Sequence, residues 1–147
     1  LLLCSWHFLP RPRELVGRPL VDLSLLRPMG LELTARDGAG RSRPLDPSDA
    51  ARLGEQLQNL GPAHVRLPCV DLLLSSTCVR TSSALALVDD VLAALQRHAV
   101  QVRVGLSEDA WVQGGGEFYA GVDRVRASGA LVLVESFGRL RHAAGRG

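Results

Sequence analysis

At 147 residues the chain has the length of one domain, or of a piece of one. Its 46% apolar and 22% charged residues are ordinary for a globular chain, and a net charge of +2 is too small to argue for nucleic acid. All 17 basic residues are arginine, so no lysine amine is available for catalysis. Cys4, Cys69 and Cys78 have no CxxC spacing, which excludes a zinc ribbon or a disulfide framework and points to a reducing cytoplasm. No apolar run is long enough to span a membrane, so no membrane association is expected. The opening Leu1-Leu2-Leu3-Cys4 is too short for a signal segment. The absence of an initiator Met leaves open that a longer protein contains this chain.

In chain order, residues 1–17 are rich in Pro and Arg and read as an irregular lead-in. Leu20–Leu26 and Met29–Ala35 are short apolar runs separated by Arg27-Pro28, a pattern that predicts a β-hairpin. Residues 37–44 are a loop by composition. Asp46-Pro47-Ser48-Asp49 supplies an N-cap, a first-turn proline and an acid near the positive end of a helix. Leu53, Leu57 and Leu60 continue that helix, and Gly61-Pro62 stops it. Ala63–Leu67 reads as a strand, and Asp71–Ser83 has no clean period. Ala84–His98 is the clearest helix, with Leu87, Val88, Val91, Leu92 and Leu95 on one face. Val100–Leu106 alternates as a strand, Phe118–Ala127 reads as a helix after three glycines, and Ala130–Val134 reads as a strand. The order from residue 63 is strand, helix, strand, helix, strand, which predicts parallel pairing.

The residues that bear on chemistry are acids at strand ends. Glu32 in GLELTAR, Glu108 in RVGLSEDAW and Glu135 in ALVLVESFG each stand at or near the end of an apolar run. Carboxylates at the C-terminal ends of parallel strands can converge, and three of them suit a hard divalent cation such as magnesium. The competing reading is a solvated acid at each strand end. Gln113-Gly114-Gly115-Gly116-Glu117 could cradle a phosphate but lacks the GxGxxG and Walker patterns, so a flexible loop is the better reading. The four histidines (His7, His64, His98, His142) lack metal-ligand spacing. Asp89-Asp90 reads as a solvated helix face, and Trp111 as a packing residue with base stacking as the alternative. Three arginines near the end, Arg139, Arg141 and Arg146, are weak evidence for contact with an acidic surface or nucleic acid.

Four segments in order resemble the EAL domain, the TIM-barrel family that hydrolyses the bacterial second messenger cyclic di-GMP. RPLVDLSLLRPMGLELTAR (residues 18–36) is similar to the opening "QPIVDL…GxEALxR", with Glu32 on the signature glutamate and Arg36 on the phosphate-contacting arginine. HVRLPCVDLLLSS (64–76) resembles the "vNLS" strand and its loop. VRVGLSEDAW (102–111) resembles "LxxEITES", with Glu108 on a metal-binding glutamate. VRASGALVLVESFGRL (125–140) resembles "LRxLGvxlalDDFGtG". The resemblance implies an α/β fold, a partial TIM barrel of EAL type over residues 18–140, mainly parallel, with a tail at 141–147.

The departures from the family pattern bear on activity. The metal-binding asparagine is placed at Arg66, the paired aspartates at Glu135 and Ser136, and the glutamine before the first proline at Arg18. Glu32 and Arg66 are closer in sequence than in the family, as if a helix were lost. The family's lysine strand and closing strands have no counterpart, so open sheet edges call for a protein partner or a homo-oligomer. The resemblance therefore implies a degenerate domain with no catalytic residues and no useful turnover. It would act in cyclic di-GMP signalling by binding that nucleotide, through Arg36 and Arg66, or a protein. No cofactor is expected; magnesium or manganese would be held by Glu32, Glu108 and Glu135 if the site works. The alternatives are an active metal-dependent cyclic di-GMP phosphodiesterase and an α/β interaction module unrelated to cyclic nucleotides.

Overall fold

The computed structural model describes the backbone of residues 7–8 and the whole of residues 14–60 and 66–135. Strand β1 (His7–Phe8) pairs antiparallel with β2 (Glu14–Asp22), which forms a hairpin with β3 (Arg27–Arg36). The expected hairpin exists, but its turn falls earlier than Arg27-Pro28. Asp22 Oδ1 accepts hydrogen bonds from the backbone N–H groups of Ser24 (2.8 Å) and Leu25 (3.1 Å), and Leu26 takes a positive φ of 49°. This Asx-type turn competes successfully with the proline as the reversal signal. Glu14–Gly17, read as irregular lead-in, belongs to β2 because it pairs with Leu33–Arg36.

After a short strand β4 (Ser42–Arg43), helix α1 (Pro47–Gln58) begins at the cap read from the sequence. Asp46 accepts from the N–H groups of Ser48 and Asp49, and Asp49 accepts in return from the N–H of Asp46, closing a capping box. Asp49 is fully buried and also takes Arg43 Nη1 at 2.7 Å, which fastens β4 to the start of α1. The Gly61-Pro62 stop and the first part of the expected strand Ala63–Leu67 lie outside the described residues. The strand that follows is β5 (Leu67–Leu74), eight residues long. The ambiguous stretch from Asp71 holds three things: the end of β5, helix α2 (Thr77–Arg80) and the start of α3 (Ser82–Gln96). Its lack of a period comes from that mixture. Then come β6 (Ala99–Ser107), α4 (Glu108–Val112), α5 (Gly116–Ala127) and β7 (Leu131–Glu135). The short helix α4 was not anticipated.

Strands β3, β5, β6 and β7 are parallel and adjacent in that order. Their order never reverses, so successive crossover helices fall on the same face, as in a barrel wall and unlike a doubly wound sheet. The burial pattern agrees. Leu33, Val70, Leu72, Leu74, Val102, Val104 and Leu106 point to one face and join a single core with Leu53, Leu57, Val88, Val91, Leu92, Leu95, Phe118 and Val122 of the helices. Leu87, expected on the buried face of α3, is only partly buried. Asp89 is not simply solvated: it pairs with Arg124 and so links α3 to α5. Gly121 of α5 has no side chain because a Cβ there would stand 1.8 Å from the carbonyl oxygen of Val79. The fold is thus α/β, a partial TIM-barrel-like sheet with its helices on the outside.

Candidate functional site

Residues in register on neighbouring strands share a face of the sheet. The face away from the helices therefore carries a row formed by Arg18, Glu32, Asp71 and Arg103, since Arg18 pairs with Glu32, Glu32 with Asp71, and Asp71 with Arg103. Two acids at the centre stand between two arginines. Parallel strands run about 4.8 Å apart, so two carboxylates in register repel unless cations compensate them.

Both are compensated. Arg18 donates to Glu32 Oε1 through Nε at 3.0 Å and Nη2 at 2.6 Å. Arg103 donates to Asp71 in a fork, Nε to Oδ1 at 2.6 Å and Nη2 to Oδ2 at 2.8 Å. The fork matches the planar guanidinium to both carboxylate oxygens. It raises the Arg103 pKa further above its already high ordinary value, chiefly through the hydrogen bond to Asp71 and with a smaller contribution from Glu135. Cys69, one inward position below Asp71, donates its thiol to Asp71 Oδ1 at 3.2 Å. Burial first, and this hydrogen bond second, push its pKa up to about 11, so it is a neutral thiol at physiological pH.

Glu135 stands higher on the same face, on β7 in register with Ser107. Its side chain lies over Gly105: a Cβ at that position would stand 2.5 Å from Glu135 Cγ and 2.9 Å from Oε1. The glycine makes room for the glutamate. At the C-terminal end of β3 a shallow polar hollow is lined by Val16, Arg18, Thr34, Arg36, Gly40 and Ser42. It forms because β3 pairs with β5 only over Gly30–Leu33, after which β4 takes the place beside Ala35 and Arg36. Ser42 Oγ bonds the buried Thr34 hydroxyl at 3.3 Å, and Arg36 is exposed at the rim.

The residues singled out from sequence are thus only partly brought together. Glu32 and Glu135 share the inner face, and Arg36 stands above Glu32 on the same strand. Glu108 is not on the sheet; it is the first residue of α4, whose N-cap Ser107 accepts from Ala110 N–H. Arg66 lies just before β5, at the far end from Leu74, where it donates to the carbonyls of Ala99 (3.2 Å) and Gln96 (3.1 Å). Its placement beside the acids is therefore corrected. The residue in register with Glu32 on that strand is Asp71. Helix α1 lies in the interval between them. Ser136 lies outside the described residues, as do His64, His142 and residues 141–147. Asp71 and Arg103 were missed as site residues. The signal was in "vNL", which fits Val70-Asp71-Leu72 better than it fits any residue at 66.

The other candidates resolve as packing. Trp111 meets the Phe118 ring edge-on at 5.5 Å between centroids, and Tyr119 donates its hydroxyl to the Trp111 carbonyl at 2.8 Å. The glycine-rich stretch is the close turn between α4 and α5, where Gly114 sits against Phe118.

No protein-family model matches the chain, and no curated protein sequence matches it. Among solved structures, the chain is similar to Klebsiella pneumoniae BlrP1. In its calcium and cyclic di-GMP complex at pH 8.0 the TM-score is 0.58 at 19% identity, over 93% of this chain and 38% of BlrP1. In the manganese and cyclic di-GMP complex at pH 6 it is 0.59 at 18% identity, over 92% and 37%. The likeness is one of fold, and this chain spans well under half of that protein's length. Among the described residues no helix is long and apolar enough to cross a membrane.

The side chains on the inner face do not fit a divalent cation as they stand. Both oxygens of Asp71 are engaged by Arg103, and Oε1 of Glu32 is engaged by Arg18. Among the described residues no three His, Cys, Asp or Glu side chains converge as a ligand set. Hard cations need several free carboxylate oxygens together.

Proposed function

We propose that this chain is a degenerate EAL-like domain that acts in cyclic di-GMP signalling by binding rather than by hydrolysis. The observation that carries the reading is the Asp71–Arg103 fork in the middle of an EAL-type sheet. Two-metal phosphodiester hydrolysis requires ions about 4 Å apart that clamp nucleophile and leaving group. Here an arginine stands among the acids that would hold them. With Glu108 on the second glutamate of "EITES", the first falls at Gly105, where there is no side chain. Glutamate and serine at 135 and 136 replace the paired aspartates. Each change removes or lengthens a ligand, and together they leave no general base on an activated water.

Binding is supported by the hollow at the end of β3. Arg36 and Arg18 flank it, and Ser42 and Thr34 add hydroxyls. Guanidinium groups recognise phosphate oxygens by bidentate contacts. Arg36 is the phosphate contact in this reading; Arg66, at the opposite end of β5, takes no part.

A protein partner, or a second copy, is favoured by a separate observation. The β2–β3 hairpin exposes Leu23 (82%), Leu25, Leu26 (82%) and Met29 at its tip. Apolar residues gathered on a projecting hairpin mark interaction surfaces more often than scattered ones do.

The test is calorimetric titration of the folded chain with cyclic di-GMP, with and without magnesium. Micromolar or tighter binding that does not depend on magnesium and weakens in Arg36→Ala is the expected result. No binding by a demonstrably folded chain would leave the protein-partner form of the proposal, to be read from the oligomeric state of wild type and Leu23→Ser/Leu26→Ser.

A further inference from the structure

We propose that Glu32 is a positioning residue: it holds the Arg18 guanidinium so that its remaining donors serve the hollow at the end of β3, where a phosphate or diphosphate group binds. The inference rests on the reading of that hollow as an anion site and names the side chain that sets it.

Arg18 belongs to two arrangements at once. It pairs with Glu32 in the row of charges, and it lines the hollow with Thr34, Arg36 and Ser42. Its bonds to the acid run through Nε at 3.0 Å and Nη2 at 2.6 Å, both to Oε1. Nη2 also reaches Ser42 Oγ at 3.4 Å, and Ser42 is tied in turn to the buried Thr34 hydroxyl at 3.3 Å. One edge of the guanidinium is thus fixed by the protein, while the Nη1 donors take no part in these bonds. The guanidinium is a rigid planar fork, so fixing one edge fixes the direction of the other.

That matters because the Arg18 side chain is 53% exposed, whereas Glu32 is 26% exposed. An arginine so open to water samples many rotamers unless it is held, and ordering it at the moment of binding weakens an anion's hold. Arg36 supplies a second guanidinium at the rim; Glu14, in register with Arg36, does not line the hollow. Glu32 also carries a negative charge, which opposes an anion nearby. Its hydrogen bond and its charge therefore act in opposite directions. Glutamine separates them, because its amide oxygen still accepts from Arg18 while the charge is gone.

The test is calorimetric titration with pyrophosphate at low ionic strength. Wild type should bind it saturably, with a dissociation constant of roughly a millimolar or below. Glu32→Gln and Glu32→Ala both lack the charge, so the difference between them reports the positioning bond. Glu32→Gln should bind roughly threefold or more tighter than Glu32→Ala. In an Arg18→Ala background the two should bind equally, because Glu32 acts through Arg18. Should Glu32→Ala not fold, Glu32→Ser, too short to hold Arg18 in the same place, takes its role. Equal affinity of the Gln and Ala variants would overturn the proposal. So would a difference that persists without Arg18, or the absence of saturable binding by wild type. The cyclic di-GMP titration has an independent outcome: its failure beside pyrophosphate binding would remove the cyclic di-GMP reading and leave the positioning role standing.

Discussion

The two faces of the same sheet are stabilised by different physics. The outer face buries Leu72, Leu74, Val104 and Leu106 to 1% exposure or less against the helices, and each such side chain contributes roughly 1.5–3 kcal/mol of transfer free energy. The inner face is more open: Thr34 and Cys69 are buried, but Gln101 and Leu131 are exposed, and Asp71, Arg103 and Glu135 are half-buried. It is held by pairing of charges in register. An enzyme face of this kind would leave its acids free for a metal. Here every acid on the row has an arginine.

The comparison can be broken or sharpened by substitution. The largest effect should come from the outer face. Leu72→Ala should cost about 3 kcal/mol, within the range for buried leucines, read as a fall in the urea midpoint with an unchanged slope. Asp49→Ala should approach it, at about 2–3 kcal/mol, because it removes half of the capping box and the nearer of the two carboxylates that pair with Arg43. On the inner face, Arg103→Gln should cost about 1 kcal/mol, a single partly screened pair. Arg18→Ala, whose side chain is mostly exposed, should cost at most a few tenths of a kcal/mol. An inner-face loss as large as that of Leu72→Ala would remove the distinction between the faces.

The two described cysteines give a finer probe. Burial raises both thiols to a pKa of about 11. Only Cys69 also has its thiolate opposed by Asp71 on the inner face; Cys78 donates to the Leu45 carbonyl in the core. The native state thus favours the neutral thiol, while the unfolded chain loses the proton nearer pH 9. The contribution to stability is present below about pH 9 and is lost between there and about pH 11. At pH 8 both thiols should react with alkylating reagents roughly a hundredfold more slowly than in the unfolded chain. Asp71→Asn should speed Cys69 and leave Cys78 unchanged, measured by mass spectrometry in a Cys4→Ser background.

Much of the fold was legible because its signals are local. The Asp46 cap, the leucines of α1 and the apolar face of α3 each fix an element within a few residues of the expected bounds. From β5 onward the alternation of strands with the helices α3 and α5 is legible in the periodicity, but β5 itself lies later than expected and the short helices α2 and α4 leave no periodic signal. What was not legible depends on register. Asp71 in LPCVDLLL looks like a lone polar interruption of an apolar strand, and Arg103 in VQVRVGL looks like the solvent-facing member of an alternation. Only the pairing of β3 with β5 and β5 with β6 brings them beside Glu32. Arg66 was assigned instead because a match of short motifs carries no register. A shift of five residues along a strand, an odd number, exchanges one face of the sheet for the other. The hairpin turn was misplaced for a related reason: the Asp22 side chain, and not the proline, closes it.

The most direct test of the central claim is a hydrolysis assay on cyclic di-GMP, in magnesium and in manganese, with the linear dinucleotide product separated and counted. Wild type and Glu32→Ala should give the same background rate in both metals. Metal-dependent cleavage by wild type well above Glu32→Ala would contradict the account, because it would mean that the acids of the inner face hold metal in spite of Arg103.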